Sequence, residues 1–512
     1  MLIRDQIKKQ IQSYLNKKEY NIQNWIVEIP KDRTLADYAS NISFLLAKLL
    51  HKSPVKIATE IATEIKPFFI KEDFSNLKIF ALKGFINFEL TNDFCYKYIS
   101  QPQFTKDLIR DKILLEYVSA NPTGPLHIGH GRWAAVGDSL KRILQHIGNE
   151  VYTEFYINDA GKQIENLLAS VDALKQGKGI PEQGYAGNYV HDLINKTNPI
   201  SYLVSQQKEI LEEFKVNFDQ WYSEKNELHD TGHIKTTIDI LEKKGYLYKN
   251  NGALFFKSTS FGDDKDRVLI KENGDYTYFA ADIAYHYLKA KRGFTKLINI
   301  WGSDHHGYIA RIKAALQALT NDAVELEVLL GQLVTLLRDG KEVKMSKRTG
   351  ELITLEEVIQ EIGIDATRFF LVMKSTDTKL DFDLDLAKKE SNDNPVYYVQ
   401  YAHARISSII KKSTYTPKFN SDIELTDKEK KLLKFIISFE DELYLAATRR
   451  EPHRITTYLL TLANLFHTFY HECQVNTDNK SLSENRLALI NFSRNILKTG
   501  LNLLGVSAPE SM

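Results

Sequence analysis

Two histidines separated by two residues, His127 and His130, end the run Ala120-Asn121-Pro122-Thr123-Gly124-Pro125-Leu126-His127-Ile128-Gly129-His130. Imidazoles at a helix start can donate hydrogen bonds to a triphosphate, beside the free N–H groups that a helix N-terminus presents. Gly129 would let a nucleotide lie against the backbone. Taken alone, the spacing fits a metal pair or two surface histidines equally well.

More than two hundred residues downstream stands Lys344-Met345-Ser346-Lys347-Arg348-Thr349-Gly350, a basic loop expected between an apolar strand, QLVTLL, and a helix, LEEVIQEI. A loop with two lysines and an arginine can close over β- and γ-phosphates and neutralise charge moving onto departing pyrophosphate. By itself such a loop is most often only a solvated one.

The elements around these residues must hold them. KILLEYVSA is a continuous apolar run suited to a buried parallel strand. A Pro- and Gly-rich turn follows it, then a helix with Trp133, Val136, Leu140, Ile143 and Ile147 on one side. Strand, turn and helix make the front of a nucleotide-binding βα unit, and FTKLINIWGSDHHGYIARIKAALQAL repeats the pattern. Residues 111–394 are therefore expected to be an α/β domain with a parallel sheet. Residues 1–110 mix helical spacing (SNISFLLAKLL) with alternation (LKIFALKGFINFEL) and predict an α+β module. Residues 395–512 carry only Leu-, Ile- and Tyr-rich helical pattern and predict an all-α bundle.

Net charge is +1 over 512 residues, but its distribution is uneven. Lys and Arg outnumber Asp and Glu by 17 to 12 in residues 1–110 and by 15 to 12 in 395–512, while the middle has 35 against 42. Basic ends around an acidic centre suit a protein that grips a polyanion and handles a cation between. No apolar run is long enough for a membrane span and the N-terminus has no signal core, so a cytoplasmic protein is expected. Cys95 and Cys473 are too far apart in sequence for a CxxC site and read as small buried residues.

Together and in this order, the two runs resemble the HIGH and KMSKS signatures of class I aminoacyl-tRNA synthetases. Their neighbours narrow the resemblance to the arginyl enzymes: Glu116-Tyr117-Val118-Ser119-Ala120-Asn121, Ile157-Asn158-Asp159-Ala160-Gly161, Tyr276 through Tyr285, Gln400 through Arg405, and Ala508-Pro509-Glu510. The likeness extends to Asp37-Tyr38-Ala39-Ser40-Asn41 and Gly84-Phe85-Ile86-Asn87-Phe88 in the first module. It implies a Rossmann-like catalytic domain, with insertion and KMSKR loop, between an N-terminal module that touches the tRNA elbow and a helical domain that reads the anticodon arm. The substrates would be L-arginine, ATP and tRNA(Arg), with Mg²⁺ carried by ATP, no metal bound by the protein, and a monomer as the working unit.

Residue by residue, the resemblance gives His127, His130 and Lys347 the catalytic roles. ATP would be held by Pro122, Thr123, Gly124, His127, Gly129, His130, Asp304, His305, Lys344, Met345, Ser346, Lys347 and Arg348. Arginine would be held by Glu116, Ser119, Asn121, Tyr278 and Asp282, and tRNA contacts would include Asn87, Tyr401, Arg405 and Met512. Guanidinium is a planar cation with five donors, so carboxylates and an aromatic ring are the groups that select it. Tyr278 and Asp282, four apart on a helix, would share a face. A plainer reading makes them a cap and a packing pair, with Glu116 an ordinary strand-end carboxylate.

The pattern also departs from the family. Arg348 replaces the common final Ser, the turn at Ser303 to His306 differs from that of many arginyl enzymes, and Ser511 stands where arginine is common. Asp304, His305 and His306 could suggest a zinc site, but no other ligand cluster accompanies them. Two rivals are a HIGH-type nucleotidyltransferase that works without RNA and a catalytically silent tRNA-binding relative. The first has no need of large end domains, and intact histidines with Lys347 argue against the second.

Overall fold

The computed structural model describes the whole chain except residues 1, 31, 34, 70–76, 101–108, 344–352 and 421, together with the side chain of Ser100. At its centre lies a five-stranded sheet whose order is Glu325–Gly331, Lys296–Gly302, Lys112–Glu116, Glu150–Ile157, Gln220–Ser223. Every neighbouring pair is parallel. In chain order, the first strand is central, the next two step outward on one side, and the last two return on the other. The order reverses between Lys112–Glu116 and Lys296–Gly302, and open sheets bind ligands beyond the C-terminal ends of strands at such a switch point.

Ile113, Leu114 and Leu115 on the central strand are buried, as a strand covered on both faces requires. The helix Ile128–His146 returns along one face and buries Val136, Leu140 and Ile143. Close approach calls for glycine at Gly137, where a Cβ would lie 2.2 Å from the Tyr117 ring, and at Gly331, where one would lie 1.8 Å from Trp133. Arg132 on the same helix is fully buried and donates to the carbonyls of Gln332, Ser375 and Thr378 at 2.8 to 2.9 Å. It thereby fastens the helix to the segments that lead into the strands Val334–Arg338 and Leu380–Asp383.

The N-terminal module is a four-stranded antiparallel sheet against the helices Ile3–Lys17, Ile42–Leu50 and Pro54–Glu64. Its hairpin between Lys78–Leu82 and Phe85–Glu89 turns on Lys83 and Gly84, both at positive φ, the backbone that a two-residue hairpin turn demands. After Asn394 the described residues are helical: Pro395–Lys412, Asp427–Ile436, Phe439–Thr448, His453–Glu472 and Lys480–Leu503. This bundle is tied to the sheet domain by Arg368, fully buried, which pairs with Asp138 and donates to the carbonyls of Leu504 and Phe214. It also holds the N-terminal module: Lys434 pairs with Asp37 at 3.2 Å and Glu89 at 3.0 Å, and Tyr38 donates to Asp441.

The strand expected at QLVTLL is present as Val334–Arg338, but the sequence did not reveal its partners Lys341–Glu342 and Leu380–Asp383, nor a separate antiparallel sheet of Leu247–Asn250, Ala253–Phe256 and Arg267–Ile270. Strands of two to four residues are too short to show a period.

Candidate functional site

The central strand ends at Glu116, and the chain leaves the sheet through Val118 and Ser119, at φ +70° and +42°. For non-glycine residues this is costly backbone that the surroundings must enforce. The Ser119 hydroxyl does so, donating to Glu116 Oε1 at 3.0 Å and accepting the Tyr156 N–H at 3.1 Å. The next residues are held by the helices Asn188–Asp192 and Pro199–Glu213, which lie in the chain between the strands Glu150–Ile157 and Gln220–Ser223. Tyr189 donates to the Thr123 carbonyl at 3.0 Å, and the buried Gln207 amide donates to the Asn121 and Gly124 carbonyls at 3.3 and 3.1 Å. Asn121 itself reaches Gln163 at 2.7 Å. Pro122 and Thr123 are buried, so Thr123 contributes shape more than a free hydroxyl.

His127 is the N-cap of Ile128–His146. Its Nδ1 accepts the Gly129 N–H at 3.1 Å, while His130 Nδ1 accepts the His127 N–H at 3.2 Å. The two rings stack with centroids 3.7 Å apart. A ring nitrogen that accepts carries no hydrogen, so in each neutral imidazole the proton lies on Nε2. The capping box thus gives both rings the tautomer that donates from Nε2, in line with the helix dipole. Gly129 has a local reason too: a Cβ there would stand 2.9 Å from the His127 ring.

Beyond the same strand end, three carboxylates interact. Glu116 is buried, and Asp282 lies one turn inside the helix Tyr278–Lys291, where Thr277 rather than Tyr278 is the cap. Glu224, buried just past the strand Gln220–Ser223, lies 3.1 Å from His229 Nε2, and its charge, after burial, helps push the Tyr156 hydroxyl up. Burial pushes the Asp282 carboxyl up to about 7, and the charges of Glu224 and Glu116 add to the rise against a Tyr308 hydrogen bond and Lys289. A cation placed among them would restore the ionised form. Tyr278 is 68% exposed at the helix start, its ring 3.6 Å from where a Gly161 Cβ would lie. Its hydroxyphenyl face is open to a ligand.

The residues Lys344, Met345, Ser346, Lys347 and Arg348 lie outside the described residues. Two described residues that follow them in the chain lie against the histidine turn: Thr354 forms an antiparallel bridge with His127, and Leu355 donates to the Leu126 carbonyl at 2.8 Å. Asp304 and His305 sit in the turn Ser303–Tyr308, directly after the fourth strand of the sheet, and both are exposed. Among the described residues no three His, Cys, Asp or Glu side chains form a group able to hold a metal ion.

In the helical domain, Tyr401, Arg405, Tyr470 and Met512 line one open groove of about 780 Å³. The Arg405 guanidinium lies 4.7 Å over the Tyr470 ring and donates to the Tyr401 hydroxyl at 2.6 Å. A cation between two tyrosines suits unstacked bases and phosphate. Asn87 is different: it is 4% exposed, and its amide donates to the Phe85 carbonyl at 3.0 Å.

Sequence reading missed Glu224, Lys289, Tyr308 and Gln207. Each lies in ordinary polar text, and only the fold aims them at the strand ends. The one signal was the acidic excess of residues 111–394.

Three family models match the chain: arginyl tRNA synthetase N terminal domain over residues 2–90, tRNA synthetases class I (R) catalytic domain over 97–186 and 182–407, and DALR anticodon binding domain over 399–512. An arginine–tRNA ligase of Aquifex aeolicus is 39% identical, with all of both chains covered. One of Bacillus subtilis is 42% identical over 100% of this chain and 99% of its own. The solved arginyl-tRNA synthetase of Thermus thermophilus superposes with a TM-score of 0.83 at 23% identity, covering all of both chains, and so shares the fold.

Proposed function

Because the chain belongs to the arginyl-tRNA synthetases, we propose residue roles for a known reaction. The protein is an arginine–tRNA ligase of class I. It activates L-arginine with ATP to arginyl-adenylate and transfers the arginyl group to the 3′-terminal adenosine of tRNA(Arg). In the first step the arginine carboxylate attacks the α-phosphorus in line and pyrophosphate leaves. In the second the 2′-hydroxyl of the terminal adenosine attacks the activated carbonyl and AMP leaves. Neither step needs a covalent bond to the enzyme.

The observation that carries our reading is the interacting set Glu116, Glu224 and Asp282 at the sheet's switch point, beside the histidine turn. It supports a guanidinium site with Tyr278 at its mouth. Ser119 and Asn121 would meet the α-amino and carboxylate groups of arginine. His127 and His130 would donate from Nε2 to phosphate oxygens, and the loop with Lys344, Met345, Ser346, Lys347 and Arg348 would cover the leaving pyrophosphate, Lys347 acting on its developing charge. Pro122, Thr123, Gly124, Gly129, Asp304 and His305 would shape the nucleotide site. Mg²⁺ would enter on the ATP phosphates as part of the substrate.

The groove with Tyr401, Arg405 and Met512 would take the anticodon arm, and the N-terminal module with Asn87 would face the tRNA elbow. Contact through Asn87 would require its amide to leave the Phe85 carbonyl. We take residues 1–110, 111–394 and 395–512 as the three domains of a cytoplasmic monomer. No helix among the described residues is long and apolar enough to cross a membrane. A nucleotidyltransferase acting without RNA is not favoured, since residues 399–512 match an anticodon binding domain.

The test is ATP–pyrophosphate exchange with a panel of amino acids, with and without tRNA. Exchange with arginine alone among them, and only when tRNA is present, is the expected result. Exchange at full rate without tRNA would overturn the RNA dependence, and equal exchange with lysine would overturn the pocket.

A further inference from the structure

Beneath the carboxylates lies a cation that these roles do not use. Lys289, on the helix Tyr278–Lys291, is fully buried. Its ammonium pairs with Glu116 Oε2 and lies 3.2 Å from Asn299 Oδ1. The Asn299 amide nitrogen is 2.9 Å from His286 Nε2, and His286 Nδ1 is 2.8 Å from the Asp282 carbonyl. A carbonyl only accepts, so Nδ1 carries the hydrogen, Nε2 accepts from Asn299, and Asn299 Oδ1 is left to accept from Lys289. The chain of donors has one direction, from Lys289 to the backbone of Asp282.

Glu116 is 5% exposed and lies among other carboxylates. Glu154 on the neighbouring strand shares with it the Tyr285 hydroxyl, at 2.7 and 3.2 Å respectively. Glu224, Asp282 and the Tyr156 hydroxyl also lie nearby. Arg292 is paired with Glu154 at 2.7 Å, and burial together with Lys289 keeps His286 neutral, its ring pushed down to about 3. Tyr308 is bonded to Asp282. Among the described residues, Lys289 is the cation paired with Glu116. Without it Glu116 Oε2 would keep only the Tyr285 hydroxyl that it shares with Glu154, and a buried charge would be left uncompensated.

We propose that Lys289 is a positioning residue for arginine: its ammonium, fixed between Glu116 and Asn299, balances the buried charge of Glu116 and holds its carboxylate oriented to receive the guanidinium. This rests on the reading of Glu116 as part of the arginine site. Lys289 touches no substrate and acts only through Glu116.

Lys289→Met tests it, with kcat, KM for arginine and KM for ATP measured in ATP–pyrophosphate exchange with tRNA. The value of kcat/KM for arginine is expected to fall about a hundredfold, mainly through KM for arginine, as when a buried ion pair loses one partner, while KM for ATP stays within about twofold. A merely structural defect would lower kcat and raise both KM values together. Arginine kcat/KM near that of the unsubstituted enzyme, or a loss shared equally by ATP, would overturn the proposal. If Lys289→Met does not fold by circular dichroism, Lys289→Gln is read in the same way, because it fills the space and donates without charge. Glu116→Gln is measured beside it. Wild-type arginine use by Glu116→Gln would overturn the arginine site itself, whereas damage there without damage in Lys289→Met would remove Lys289 alone.

Discussion

Tyr308 donates its hydroxyl to Asp282 Oδ2 at 2.5 Å, joining the turn after the fourth strand to the helix that carries the proposed guanidinium partner. The hydrogen bond favours the ionised carboxylate, yet burial and the neighbouring Glu224 and Glu116 outweigh it and push Asp282 up to about 7. In the empty enzyme near neutrality the site is therefore shared between a proton and its substrate.

Arginine affinity should follow that competition. As pH falls below about 7, Asp282 is protonated before arginine arrives, so affinity drops, approaching tenfold per pH unit, and above about 7 it levels off. Calorimetric titration of arginine from pH 5.5 to 8.5 checks this. Asp282→Asn is expected to bind weakly with no inflection near 7, and an inflection that survives in that variant would assign the proton to another group.

The same shift acts on stability. A carboxyl raised from 3.8 to about 7 on folding keeps its proton in the native state while the unfolded chain has lost it, so stability falls as pH rises through this window and is level above it. The full shift corresponds to at most about 4 kcal/mol, less after relaxation. Without substrate, Asp282→Asn is expected to melt higher than wild type at pH 8 and at about the same temperature at pH 4. Differential scanning fluorimetry at the two pH values decides; a lower melting temperature at pH 8 would contradict the shift.

The histidine turn separates cap from catalyst. Asn is as good an N-cap as helices use, so His127→Asn should cost less than about 0.5 kcal/mol of stability. It removes the Nε2 donor, however, and one transition-state donor is worth about 2.7 to 4 kcal/mol. A fall of a hundredfold or more in activation rate with an unchanged melting temperature is expected. Equal losses in stability and rate would make His127 a structural cap.

Much of this architecture was readable before the fold was known. KILLEYVSA specified a strand as a continuous apolar run between turn signals, and the apolar stripe through Val136, Leu140 and Ile143 specified a helix because its period runs on over 19 residues. His127 and His130 were readable as a pair because three residues along a helix start suffice to bring them together. Glu224 and Lys289 were not, because Glu224 reaches Glu116 only through two successive strand pairings and Lys289 only through the rotation of one helix, each more than a hundred residues away in sequence. Their residue types alone predict a solvated surface.

Binding of tRNA should be far more sensitive to salt than binding of arginine. Each phosphate contact from the basic end domains releases counterions, so log affinity is expected to fall linearly with log salt, with a slope of several units. Arginine enters an enclosed site where screening is weak. Filter binding of tRNA and calorimetry of arginine between 50 and 300 mM salt check the contrast; a flat tRNA response would leave the charge asymmetry without a role.

The central claim is that enclosed carboxylates choose the substrate by its guanidinium. The most direct test is steady-state activation of arginine by folded Glu116→Gln and Asp282→Asn, with citrulline as a second substrate for the wild type. Each substitution keeps the side chain's size and replaces an acceptor oxygen with a donor NH₂, which would meet the substrate's own donors. A loss of about 3 to 5 kcal/mol in kcat/KM, a factor of hundreds or more, with KM for ATP unchanged and citrulline refused, is the predicted result. Near wild-type use of arginine by both variants would contradict it.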